Sequence, residues 1–235
     1  GIQMPTLKEL NQFIEKTEPL DDNAISNYFN RLQEKYLEER EENLKKQFDT
    51  SQVDRVLSEI TDLTTGKRIQ GVDRILLRQD FDYVNDIGCK TSISLDPKDP
   101  NAPKKIIKDM TNSEIKFLIN HCREIVRGEA SSEDKHSARL QYVALIREAY
   151  YRSPPKNPKD KAIVPNSTQI LSILNTLRLG QNSISEIQTG QGKTVISGLN
   201  AAMMNLEGHT VDVCTSNEAL AREGRIRVRV QRVPG

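Results

Sequence analysis

The stretch Ser183, Ile184, Ser185, Glu186, Ile187, Gln188, Thr189, Gly190, Gln191, Gly192, Lys193, Thr194 decides how the C-terminal part of this chain is read. Residues 183–188 predict a short strand, Gly190 and Gly192 a tight turn, and the apolar residues that follow a helix to about Leu206, stopped by Gly208. His209 to Thr215, with Val211 and Val213 alternating, predicts the next strand. Strand, loop, helix, strand in that order is one βαβ unit, and its crossover requires a parallel sheet.

The same stretch has the parts a phosphate group needs. Backbone N–H donors must approach closely, a helix N-terminus must point at the anion, a flexible cation must reach it, and Mg²⁺ takes a hydroxyl ligand. Gly190 and Gly192 free the backbone to curl, with Thr189 and Gln191 completing the loop; Lys193 is the cation, and Thr194 is the Mg²⁺ hydroxyl. The strict G-x-x-x-x-G-K-[ST] pattern would place glycine at position 187, where this chain has Ile187. Helicase-like motors keep the shorter T-G-x-G-K-T, which Thr189 to Thr194 spell. The competing reading is a Gly-rich turn that merely connects a strand to a helix.

Upstream, Thr168 to Leu179 predicts a short helix closed by Gly180. Ser153 to Lys161 contains Pro154, Pro155 and Pro158, which cannot continue a helix, and a domain boundary is expected there. Everything before it reads as helical. Ile25, Tyr28, Phe29, Leu32, Tyr36 and Leu37 fall at helical steps behind a cap at Asp22 or Asn23. A second helix passes through Val53, Val56, Leu57, Ile60 and Leu63 and ends at the cluster Thr64, Thr65, Gly66. A third includes Val72, Ile75 and Leu76. Asp96 to Lys105 reads as an exposed connection. Thr111 to Ser113 caps a helix carrying Ile115, Leu118, Ile119, Cys122, Ile125 and Val126 to Gly128, and another runs from about Ser132 to Tyr150. The fold class expected is mainly α, with a partial α/β segment (P-loop, helicase-like parallel sheet) at the C-terminal end.

Composition narrows the partners. In 235 residues, 34 Lys plus Arg stand against 33 Asp plus Glu, so there is no broad positive field to gather nucleic acid. No run approaches the roughly 18 apolar residues of a membrane span, and a cytoplasmic location, with at most peripheral contact to a membrane, is expected. Cys89, Cys122 and Cys214 are far apart and read as free thiols. His121 and His136 read as ordinary helix or surface residues.

Several ordered blocks around the glycine turn resemble SecA, the ATPase of bacterial preprotein translocation. Ala144 to Ala149 is similar to that family's helix before the motor, and Pro165 to Asn175 to its adenine-recognition segment. The run Thr215 to Glu223 is similar to the segment after its second motor strand, with Asn217 and Arg222 at matching positions. The resemblance covers about Ala144 to Glu223. It implies that Gln169 contacts the adenine edge, that ATP or ADP with Mg²⁺ is the ligand, and that Gln169, Thr189, Gly190, Gln191, Gly192, Lys193 and Thr194 form the site. The family's Mg²⁺ carboxylate and transition-state arginines lie beyond the matched stretch, so nucleotide binding without efficient hydrolysis is expected.

The organisation expected is a helical region over 1–152, a linker over 153–162, the beginning of a motor over 163–223, and an unmatched, appended or truncated tail over 224–235. Two other functions compete: a helical protein-interaction module over the N-terminal helices with a vestigial motor segment, and a fragment of a nucleic-acid helicase.

Overall fold

A computed structural model describes residue 5, residues 7–47, 51–60, 71–153, 164–179, residues 187 and 190, and residues 192–212. Among these the chain is mainly α-helical, as its periodicity predicts. It divides into two compact units, 1–47 and 48–235.

In the first unit, α1 (Leu7–Lys16) and α2 (Asp22–Gln47) are joined by a short turn. The Asp21 carboxylate accepts the Ala24 N–H at 2.7 Å, so the cap of α2 stands one residue ahead of the two expected. Phe13 stacks on Tyr28 with ring centroids 4.1 Å apart, and Tyr28 meets Phe29 edge to face. No residue of α1 is buried.

The second unit holds α3 (Ser51–Glu59), α4 (Gly71–Cys89), α5 (Asn112–Arg127), α6 (Ser132–Arg152), α7 (Ser167–Leu179) and α8 (Lys193–Leu206). α3 ends at Glu59, and the 61–66 stretch expected to continue and stop it lies outside the described residues. α4 is far longer than Val72, Ile75 and Leu76 indicate. Leu77, Phe81, Val84 and Ile87 line one of its faces at helical steps and are buried. The polar segment after it carries a small antiparallel pair, β1 (Ile93–Ser94) with β2 (Lys104–Lys105), in the register Ile93 to Lys105. A 3₁₀ turn (Ile107–Asp109) follows.

α5 begins with a capping box. Thr111 accepts the Glu114 N–H at 3.2 Å and the Glu114 carboxylate accepts the Thr111 N–H at 2.6 Å, the reciprocal pairing that T-x-x-E encodes. α6 is capped by Ser131 and is buried on every side in its second half, from Leu140 through Tyr142 to Glu148. A helix segment buried on every side must sit inside a bundle. α6 accordingly packs on α5 and α4, while α7 packs on α8, α4 and α3. One core results, with Phe81, Leu118, Leu145, Ile170, Leu174 and Leu199 at its centre.

Thus α7 and α8 share a core with the helices before the proline-rich segment; that segment itself, from Pro154 to Ile163, lies outside the described residues. Asp80, nearly fully buried on α4, ties three helices. It meets His136 Nε2 of α6 at 2.9 Å and Arg178 Nη2 of α7 at 2.6 Å.

Of the two strands expected to flank α8, residues 183–186 and 188 lie outside the described residues. Residues 209–212 have no regular structure, and 213–215 again lie outside.

Candidate nucleotide-binding site

Gly192 occupies the N-cap of α8 in the left-handed conformation, with φ 72° and ψ 48°. Residues with a Cβ rarely adopt that backbone, which accounts for glycine here. Its carbonyl accepts the Val195 N–H at 2.9 Å, the first bond of the helix. Gly190 is also at positive φ, 89°. Lys193 and Thr194 follow in the first turn of α8, both exposed, while Val195 and Ile196 are buried and anchor that turn in the core. A cation and a hydroxyl therefore stand exposed at the positive dipole end of a 14-residue helix.

The far end of α8 is held by side chains from α5 and α6. Arg127 Nε donates to Leu206 O at 2.9 Å and its Nη2 to Asn205 O, and Tyr142 Oη donates to Ala202 O at 3.2 Å. Arg139 pairs with Glu207 at 2.8 Å. Cations over the last carbonyls complement the negative end of the helix dipole. Gly208, at positive φ, closes the helix where expected.

Gln169 reaches the glycine turn from α7. It is the third residue of that helix and is almost completely buried. Asn166 stands at the N-cap: its Oδ1 accepts the Gln169 N–H at 3.0 Å, and Gln169 Oε1 accepts the Asn166 N–H at 3.0 Å. This second capping box spends the carbonyl end of the Gln169 amide locally and turns its Nε2 end toward α8. A Cβ built on Gly192 would fall on that nitrogen, well inside van der Waals contact. The fold thus brings together Gln169, Gly190, Gly192, Lys193 and Thr194; Thr189 and Gln191 lie outside the described residues, as do Glu186, Asn217 and Arg222.

Asn166 and Arg147 are the neighbours that reading the sequence did not single out. The N-x-x-Q spacing of Asn166 and Gln169 is a legible capping signal. Arg147 gives none. It lies fully inside α6, donating from Nε to Pro165 O at 3.1 Å, with Nη1 3.5 Å from Asn85 Oδ1. Burial pushes its guanidinium down to about 9, which leaves it protonated at neutral pH. Among the described residues no group of three or more His, Cys, Asp or Glu side chains is arranged to hold a metal ion, and no helix is long and apolar enough to cross a membrane.

Comparison with known proteins gives this geometry its context. A family model described as the SecA DEAD-like domain matches residues 97–230, a span that starts ahead of Ala144 and runs past Glu223. It takes in α5 and all of α6. Protein translocase subunit SecA 2 of Listeria welshimeri is 30% identical over 121 residues, covering 51% of this chain and 14% of that protein. The chloroplastic SecA of Ostreococcus lucimarinus is 30% identical over 115 residues, covering 49% and 11%. Subunit SecA 2 of Mycobacterium leprae is 35% identical over 82 residues, covering 35% and 9%. The matched stretch thus spans about a seventh or less of these relatives' length. No solved structure gives a significant match. With more than half its residues under the family model, and with the glycine turn, its helix and the Gln169 segment inside the matched span, the chain belongs to the SecA DEAD-like domain family.

Proposed function

We propose that this chain supplies adenine recognition and the phosphate loop of a SecA-type ATP-driven motor. In this reading it binds ATP or ADP through Gln169, Thr189, Gly190, Gln191, Gly192, Lys193 and Thr194. The observation that carries the reading is the left-handed N-cap at Gly192, which aims the start of α8 outward with Lys193 and Thr194 exposed beside it. The missing Cβ matters twice: it permits the backbone angle, and it leaves room for Gln169.

Each group has a task. N–H groups of the turn and of the first turn of α8 would donate to phosphate oxygens, and Lys193 would neutralise charge on the outer phosphates. The buried Gln169 amide would read the adenine edge from the α7 side. The Thr194 hydroxyl would hold a hard cation such as Mg²⁺, which would supply positive charge to neutralise the phosphates. The parallel sheet expected around α8, with strands at 183–188 and 209–215, belongs to the same proposal.

Hydrolysis asks for more, namely a carboxylate for the metal and cations for the transition state, and these are assigned to the remainder of a complete motor. This chain alone should bind nucleotide and turn it over slowly or not at all. The test is thermal: Mg-ADP at a hundredfold over its Kd should stabilise the chain by about 2.7 kcal/mol, and should leave the Lys193→Ala variant unmoved. Equal stabilisation of both proteins would refute the assignment.

A second reading, a protein-interaction role for the N-terminal helices, is favoured by one observation. Leu7 is 78% and Ile14 51% exposed on α1, a helix with no buried residue. Host proteins that co-purify with the full chain, but not with a Leu7→Ser, Ile14→Ser variant, would support it; unchanged co-purification would remove it.

A further inference from the structure

Arg147 is a costly side chain to bury. It sits in the second half of α6 with 4% of its surface exposed, and taking a guanidinium out of water costs several kcal/mol before its contacts offset any of it. Its guanidinium donates from Nε to the Pro165 carbonyl at 3.1 Å, and its Nη1 lies 3.5 Å from the Asn85 amide oxygen. The Glu148 carboxylate, next in the chain, adds a favourable charge. The bond to Pro165 links this cation to the start of α7.

Pro165 is the residue immediately ahead of the α7 cap. Its ring fixes φ and it has no N–H, so its carbonyl is the one backbone group by which its peptide can be anchored. Fixing that carbonyl orients the next residue, Asn166. Asn166 in turn holds Gln169 through two reciprocal bonds of 3.0 Å, and the Gln169 amide nitrogen lies against Gly192. The contacts run without a gap from the second half of α6 to the glycine turn: Arg147, Pro165, Asn166, Gln169, Gly192.

We infer that Arg147 is a positioning residue for base recognition, holding the Pro165 carbonyl so that the Asn166 and Gln169 box presents the Gln169 amide to an adenine bound beside Gly192. Arg147 acts through Gln169 and touches neither base nor phosphate. The inference rests on the nucleotide-binding reading above and adds to it a residue with no phosphate-loop signature. A purely structural Arg147 would affect every ligand of the site alike. A positioning Arg147 affects the base and spares the phosphates.

The experiment measures the affinities of Mg-ADP and Mg-GDP for the full chain and for its Arg147→Gln, Arg147→Lys, Gln169→Ala and Arg147→Gln, Gln169→Ala variants. The two ligands carry the same phosphates and differ in the base. The unchanged chain should prefer ADP. Arg147→Gln should reduce that preference about tenfold, the scale of one directed hydrogen bond, with GDP affinity held. Adding Gln169→Ala should then cost little more, because both substitutions cut one pathway. A folded Arg147→Gln protein that keeps its preference for ADP overturns the inference, and so does an equal loss for both nucleotides. Loss of the cooperative thermal transition in both Arg147→Gln and Arg147→Lys would make Arg147 a core ion and would also overturn it. If the unchanged chain binds neither nucleotide, the nucleotide-binding reading itself fails; if it binds both equally, Gln169 reads no base and Arg147 has nothing to position.

Discussion

The side-chain amide of Gln169 fills the space that a Cβ atom on Gly192 would need. The start of α7 and the start of α8 are therefore fitted to each other at the atom where glycine differs from every other residue.

Gly192→Ala should be the more damaging of the two glycine substitutions in the turn. At φ 72° an alanine costs about 1–2 kcal/mol of backbone strain, and its methyl group must also displace the Gln169 amide. Gly190→Ala meets the strain alone as far as the described residues go, because none of their atoms lies within 4 Å of a Cβ there. Thermal melts and ADP titrations of the two variants should rank them in that order. A Gly192→Ala protein that binds ADP as well as Gly190→Ala would contradict the fit.

Much of this arrangement was legible in the chain and part of it was not. The cap within Thr111 to Ser113, and the stop at Gly208, are local signals, and both form where expected, the cap at Thr111. The α2 cap moved from Asp22 or Asn23 to Asp21 because three adjacent polar residues offer the helix equivalent oxygens, and only geometry selects among them. The buried face of α4 is carried by Leu77, Phe81, Val84 and Ile87 but interleaved with Arg78, Asp80 and Asp82, which dilutes its helical pattern. Asp80 is in fact buried between His136 and Arg178, far away in sequence. Arg147 was illegible for a related reason. Its partner is the backbone carbonyl of Pro165, and a carbonyl carries no residue-type signature. In the site, the glycines, Lys193 and Thr194 announce themselves by type and spacing, whereas Asn166 matters through its bond to Gln169.

Arg152 should prove a larger contributor to stability than its place at the end of α6 suggests. It pairs with the buried Glu148 carboxylate at 2.6 Å and donates to Met110 O at 2.6 Å, Asn112 Oδ1 at 3.0 Å and Lys108 O at 3.2 Å. One side chain thus fastens α6 to the 3₁₀ turn and to the start of α5. Arg152→Met should cost about 3–5 kcal/mol in urea unfolding, the range for removing one partner of a buried pair. A loss below 1 kcal/mol would show that these bonds are replaced by water.

Glu114 should make a measurable part of the acid sensitivity. Its hydrogen bond from Lys105, then that from the Thr111 backbone, hold its carboxyl below the ordinary value of 4.5. A carboxyl with a depressed folded-state pKa adds stability above the unfolded value, and that stability disappears as pH falls through the folded one. The stability difference between the native chain and Glu114→Gln should therefore be full at pH 7 and shrink below about pH 4.5. A difference independent of pH would refute the role of ionisation.

Cys122 should be inert in the folded protein. It is fully buried on α5, and burial pushes its thiol up to about 12. A thiol reagent at pH 8 should modify Cys122 only after unfolding, as peptide mapping would read. Modification at native temperature and without denaturant would mean that α5 opens readily.

Whether a nucleotide site is built into this chain is decided by a titration of fluorescent ADP with Mg²⁺ into the chain and into Lys193→Ala. Saturable binding that the substitution abolishes is the predicted result. Binding unchanged by the loss of the Lys193 ammonium, or no binding by either protein, would contradict it.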